Sequence, residues 1–225
     1  MSSQEVPAVP DSEAERFWEN HYAQQQLGGF SHVSPLLVET VEALAPARAD
    51  ATALDLACGR GNDTLWLASQ GWCVVAADIS PTAIRTVAER AEAENLRDFV
   101  RAEVHDLTRT FPEGSFDLIS AQHFHTPFDV DRAAILRTAV EALRPGGRLL
   151  VVDHGSTSPW SWNQDPDVHF PSPDEVYEEL ALDPGQWRAV RRDRPQRLAT
   201  GPNGQKATVT DHVLVVLKHG DGSAA

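Results

Sequence analysis

The stretch Thr52-Ala53-Leu54-Asp55-Leu56-Ala57-Cys58-Gly59-Arg60-Gly61-Asn62-Asp63 constrains the fold of this chain more than any other. An apolar run enters a tight turn of small residues, and the turn opens into a helical pattern from Thr64 to Gln70. Gly59 and Gly61 suit backbone angles that other residues avoid, and they let a ligand approach bare main chain. Asp63 or Thr64 is placed to cap the helix, whose free N–H groups would then face whatever lies over the loop. Strand–turn–helix units of this kind bind the phosphates of dinucleotides and other adenosine cofactors. The same pattern also serves as a plain connection, so its neighbours must decide its meaning.

Those neighbours alternate between strand and helix. Trp72 to Ala77 is a β-rich run ending in Asp78, and Ser80-Pro81 opens a helix with Ile84, Val87, Ala88 and Ala91 at helical spacing. Asp98 to Val104 ends at His105-Asp106, and Ser115 to Ala121 ends at Gln122-His123-Phe124-His125. An amphipathic helix from Asp131 to Leu143 is stopped by Pro145-Gly146-Gly147, and the strand Arg148 to Val152 leads to Asp153-His154. This alternation predicts a parallel sheet with helices on both faces.

The flanks differ from this core. A helix over Glu13 to Tyr22 carries Phe17, Trp18 and Tyr22, with a Gly28-Gly29 hinge after it. Ser34 caps a second helix that has Pro35 in its first turn and Leu37, Val41 and Leu44 along one stripe. Gly155 to Pro173 is a long loop holding Trp160, Trp162, His169 and Phe170, and a helix from Asp174 to Leu180 follows. Two strands, Trp187 to Asp193 and Thr208 to Leu217, flank a turn near Gly201-Pro202-Asn203-Gly204 and predict an antiparallel hairpin. The chain thus divides into a flexible tail (1–12), a helical cover (13–50), a main domain (51–219) and a short tail (220–225).

Composition narrows the partners. The 225 residues can bury one good core, and the net charge of −14 argues against a polyanion as partner. Arg188 to Arg197 is the only candidate for a basic patch. Met1 to Pro10 has neither the basic start nor the apolar core of a signal peptide, and no apolar run reaches membrane-spanning length. A cytoplasmic protein is expected, with no membrane and no nucleic acid as partner. Cys58 follows the first strand and Cys73 begins the second. In parallel neighbours these ends lie roughly 17 Å apart, so both thiols are expected to be free.

With its order laid out, the chain resembles the class I S-adenosylmethionine-dependent methyltransferases over roughly Glu13 to His219. The likeness rests on Leu54 to Gly61, Ala77-Asp78-Ile79-Ser80, His105-Asp106-Leu107, Phe116-Asp117-Leu118-Ile119 and Leu143-Arg144-Pro145-Gly146-Gly147-Arg148-Leu149-Leu150. Each is common alone, and together in order they are specific. Phe17-Trp18-Glu19-Asn20-His21-Tyr22 further resembles the small bacterial enzymes related to tellurite and thiopurine methyltransferases. The resemblance implies an α/β Rossmann-like fold, a mostly parallel sheet finished by the antiparallel hairpin, and S-adenosylmethionine as cofactor. It departs at Ala57, where the family usually has the first of three alternate glycines.

The same resemblance implies roles. Ala57, Gly59 and Gly61 would hold the methionyl part against backbone, with Asp55 supporting its amine. Asp78 would accept from both ribose hydroxyls. Asp106 would accept from the adenine amino group, Ile79 and Leu107 would flank the ring, and Gln122 falls at the same end of the sheet. A nicotinamide-dependent oxidoreductase is the rival reading, but Thr64 stands where its third glycine would be. A non-catalytic binding or regulatory protein on the same fold is the other.

After the fourth strand the chain has neither the Asn/Asp-Pro-Pro-aromatic signature nor the Pro-Cys of nucleic-acid methylating enzymes. A small-molecule acceptor is therefore expected, methylated on oxygen, sulfur, nitrogen or an oxyanion. Trp18, Tyr22, Trp160, Trp162 and Phe170 could form a lid over it, with His154 alongside. His123, then His125, are the candidates to take a proton from the acceptor. If the strand continues, alternation turns only one of them towards the pocket. A metal held by these histidines with Asp153 matches no specific motif, so no metal ligand is assigned.

Overall fold

The computed structural model describes residues 12–24, 32–44, 50–161, 164–165, 167–201 and 203–220. Two helices, α1 (Glu13–Gln24) and α2 (Pro35–Glu42), precede β1 (Thr52–Leu56), α3 (Asn62–Ser69), β2 (Cys73–Asp78), α4 (Pro81–Ala93) and β3 (Val100–Val104). There follow β4 (Phe116–Gln122), α5 (Arg132–Glu141), β5 (Leu143–His154), α6 (Pro173–Leu180), β6 (Trp187–Asp193), β7 (Gln196–Thr200) and β8 (Lys206–Lys218).

The strands lie in the order β3-β2-β1-β4-β5-β8-β6, with β7 attached to β8. Pairing is parallel from β3 through β5 and antiparallel wherever β8 takes part. Each strand alternates its apolar residues between two cores. Leu54, Leu56, Ile119, Leu149, Val151 and Leu214 fill one side, whereas Ala53, Leu118, Leu150, Val152 and Val213 fill the other. Both faces of β1, β4 and β5 are thus covered, as their near-continuous apolar sequences require. Leu37 of α2 is wholly buried in the second core. Strand order reverses between β1 and β4, so the two chain crossings leave a crevice above their carboxyl ends.

The structure departs from the sequence reading in four places. Neither Asp63 nor Thr64 caps α3. Gly61 is the N-cap residue, left-handed at φ 77° and without a side-chain bond, while Asp63 accepts from the Ser34 N–H and Thr64 donates to Asp55. Pro145-Gly146-Gly147 lies within β5, where the register against β4 shifts and Gly147 passes too close to the Phe116 and Arg144 carbonyls for a Cβ. The terminal hairpin has three strands. β7 joins β8 through the Gly201–Gly204 turn, and β8 inserts between β5 and β6. The candidate basic patch also dissolves into ion pairs: Arg191 with Glu39 and Asp193, Arg192 with Asp174, and Arg197 with Asp211.

Candidate active site

Asp55, Ala57, Gly59, Gly61, Asp78 and Ile79, which the sequence reading assigns to the cofactor, lie at or just beyond the carboxyl ends of β1 and β2. Ala57, Gly59 and Gly61 all have positive φ, at 53°, 54° and 77°, so the loop exposes its amides where side chains would clash. A Cβ on Gly61 would lie 2.7 Å from Val87, which ties the loop to α4. Asp78 closes the loop from the next strand: Oδ2 accepts from the Gly59 N–H at 3.0 Å and Oδ1 from the Ser80 N–H at 3.0 Å. Ile79 is half-buried beside it.

Asp55 is 2% exposed and accepts from the Thr64 hydroxyl at 2.6 Å. Burial, then the charge of Asp63, pushes its carboxyl well above the usual carboxylate range. Burial raises Asp63 and Asp78 as well. Carboxylates so placed favour a cationic ligand, because a nearby positive charge restores their ionised form. Just beyond β3, Asp106 is half-buried, but its Oδ1 accepts from both the N–H and the hydroxyl of Thr108. Leu107 packs against the first core, which steadies this wall.

The helix α1 lies over the loop. Glu19 reaches the N-terminus of α4, accepting from the Ser80 hydroxyl at 2.5 Å and from the Thr82 N–H at 3.0 Å. Burial opposes its charge, yet these bonds hold its carboxyl below the usual range. Arg60 donates to the Tyr22 carbonyl, and the Tyr22 hydroxyl stands 3.1 Å from where a Gly59 Cβ would be. Tyr22, expected at the acceptor, therefore sits over the cofactor loop instead. Trp18 packs on Phe17, His21 and Tyr22, and Phe17 meets Phe128 beyond β4.

The other side of the crevice is built by β4 and β5. Parallel pairing sets Gln122 beside Val152, and the His123 N–H donates to the Val152 carbonyl at 2.7 Å. His123 then turns left-handed at φ 51°, a strained conformation for this residue. The strand ends there, so simple alternation fails and both histidines face His154. Its ring stacks on His123 at 4.2 Å and on His125 at 5.5 Å between centroids. Desolvation lowers the pKa of all three, His123 to about 3, although His154 remains partly open to solvent. The His125 Nε2 is 3.4 Å from Asp153, which Arg132 grips with two bonds of 2.7 and 2.9 Å. Gln122 Oε1, His123 Nδ1 and Arg132 Nε are buried without hydrogen-bond partners.

One expected lid residue falls elsewhere. Trp160 packs on Gly201, whose Cβ would be 2.6 Å from its ring, so it braces the β7–β8 turn. Trp162 lies outside the described residues. The sequence reading missed Glu19, Arg60, Arg132, Arg197 and Asp211. Glu19, Arg60 and Arg197 stood within quoted stretches but without a role, and Arg132 and Asp211 carry no local signal, because their partners are distant in the chain. Cys58 and Cys73 are free, as expected, and no helix among the described residues is long and apolar enough to cross a membrane.

This strand order, with a glycine loop after β1 and an acidic residue closing β2, defines a class I S-adenosylmethionine-dependent methyltransferase domain. Residues 53–147 match the family model described as a methyltransferase domain. A thiopurine S-methyltransferase of Vibrio cholerae is 29% identical over 153 residues, covering 60% of this chain and 68% of the relative. The methyltransferase GfsG of Streptomyces halstedii is 35% identical over 104 residues, covering 44% of this chain but only 36% of its own length. A solved structure described as converting a disulfide bond into a thioacetal group during echinomycin biosynthesis superposes with a TM-score of 0.67. It is 22% identical and covers 93% of this chain and 95% of its own, a likeness of fold. Residues 53–147 thus carry a methyltransferase domain, for which S-adenosylmethionine is the cofactor.

Proposed function

We propose that the protein transfers the methyl group of S-adenosylmethionine to a heteroatom of a small molecule, acting in the cytoplasm. The carrying observation is the facing of two unlike walls across one crevice. The loop and carboxylates of β1 and β2 suit a cofactor bearing an ammonium and a sulfonium, while the unsatisfied polar atoms of Gln122, His123 and His125 at the end of β4 suit a protic acceptor. The two named methyltransferase relatives support transfer, and the thiopurine enzyme supports sulfur among the acceptor atoms.

In this reading Asp78 binds the ribose with lone pairs left over from its backbone bonds, and Asp55 and Asp63 balance the cofactor's charge. Asp106 and Gln122 bound the adenosine, and α1 excludes water with Trp18 and Tyr22. The acceptor lies behind the methyl, against the histidine stack. Its proton passes to His125, whose imidazole is backed by Asp153. The heteroatom bonds to the methyl carbon, and the C–S electron pair stays on sulfur, leaving S-adenosylhomocysteine. His123 orients the acceptor from the opposite side of His154.

Labelled cofactor should be offered with thiols, phenols, carboxylates, amines and oxyanions such as tellurite. We expect turnover of one class, and a fall of about 10²-fold or more in kcat for His125→Ala with normal cofactor affinity. Exogenous imidazole should restore part of that loss. Cofactor binding with no turnover of any acceptor would instead favour a binding or regulatory protein.

A further inference from the structure

The histidine stack has a third side that the acceptor reading does not use. The β5–β8 register places Asp211 directly across from His154, and the left-handed turn brings His123 onto the same ring. A ring nitrogen of each histidine and a carboxylate oxygen of Asp211 all lie within 4.8 Å of one another. The buried Nδ1 of His123 has no hydrogen-bond partner in the protein. Asp211 is 1% exposed and depends on one counter-charge, Arg197, which reaches it from β7 at 2.5 and 3.3 Å.

We propose that His123, His154 and Asp211 bind one divalent first-row transition ion of the zinc or iron(II) kind. Two imidazoles and a carboxylate are the donors such ions select, whereas calcium and magnesium prefer sets of oxygens. Metal–ligand lengths of about 2.0–2.1 Å bring tetrahedral donors to about 3.3 Å from one another, so the cluster must tighten. It has the freedom to do so. His154 is exposed, and Arg197 stands on a strand that pairs only with β8. Arg197 acts as the stand-in cation, and the ion displaces it from Asp211. Three protein ligands leave a position open towards the crevice, where a hydroxyl or thiol of the acceptor can coordinate and lose its proton more readily. That use of the ion rests on the methyltransferase reading, but its binding does not.

The full chain, freed of metal with a chelator, should be titrated with Co²⁺ and, in competition, with Zn²⁺. We expect one equivalent of Co²⁺ to bind with the visible absorption of a four- or five-coordinate site. His154→Ala and Asp211→Asn should each weaken it at least tenfold, and His219→Ala should leave it unchanged. Arg197→Gln removes the competing cation and should tighten binding, an effect with no place in a purely structural role for Asp211. His154 is exposed, so its variant should fold and keep the test valid even if Asp211→Asn does not. No stoichiometric binding, or equal binding by the parent and His154→Ala, overturns the proposal. S-adenosylhomocysteine is titrated into the same metal-free protein, so loss of the metal site and loss of the cofactor reading are told apart.

Discussion

Asp78 has more to do than its place in the sequence suggests. Both of its oxygens already accept backbone N–H groups from Gly59 and Ser80, so it sets the loop that it is expected to help bind the ribose. Removing a buried carboxylate acceptor costs on the order of 2–4 kcal/mol. Asp78→Ala should therefore weaken S-adenosylmethionine by roughly 30-fold or more, measured by calorimetry on a folded variant, and a twofold change would refute the assignment. Asp55 and Asp63 make a different prediction. Burial raises both pKa values, Asp63 to about 6 and Asp55 to about 8, so both groups hold protons on the acid side of those values. A bound cation lowers those values and expels the protons, so affinity must rise with pH through about 6 and level off above about 8. Asp55→Asn should flatten that slope, and a parent slope of zero would show that the cofactor's charge does not reach these carboxylates.

Among the elements, α1 is held by few contacts. None of its residues is fully buried, and its anchors are Glu19 at the start of α4, Arg60 on the Tyr22 carbonyl and Phe17 against Phe128. Losing the acid at the α4 N-terminus should cost about 1 kcal/mol. Glu19→Ala should speed hydrogen exchange over residues 13–24 and weaken S-adenosylhomocysteine several-fold. Unchanged exchange would mean that the aromatic contacts alone hold the helix. The strands β1, β2, β4 and β5 were legible because burial on both faces writes apolar runs with a clear end. The antiparallel pairing of β8 with β6 was legible too, but its placement beside β5 and the extra strand β7 were not, since a hairpin pattern does not say what lies on its other edge. β7 is short and largely exposed, with Leu198 at 65%, so it has little periodicity to read. The histidine stack was half legible. Adjacency of β4 and β5 predicted the meeting, but a left-handed histidine is not readable from local pattern, and so His123 and His125 were expected to diverge.

At the scale of the molecule, binding and folding are linked. A ligand at about 100 times its dissociation constant stabilises the folded state by about 2.7 kcal/mol. For a chain of this length that corresponds to a rise in melting temperature of roughly 5–10 °C. S-adenosylhomocysteine should produce it and NADH should not, and the reverse result would restore the oxidoreductase reading. The chain also distributes its two walls unevenly along its length. The glycine loop, Asp78, Asp106 and the start of the histidine stack lie within residues 53–147, whereas His154, Arg197 and Asp211 come from the strands that follow. Because β8 pairs alongside β5, the last third of the chain would furnish one side of the proposed acceptor chamber, while the glycine loop comes from the first half. The two can then change independently in descent. A chimera that keeps the first part and borrows its last strands from a relative should inherit the donor molecule from one parent and the choice of recipient from the other.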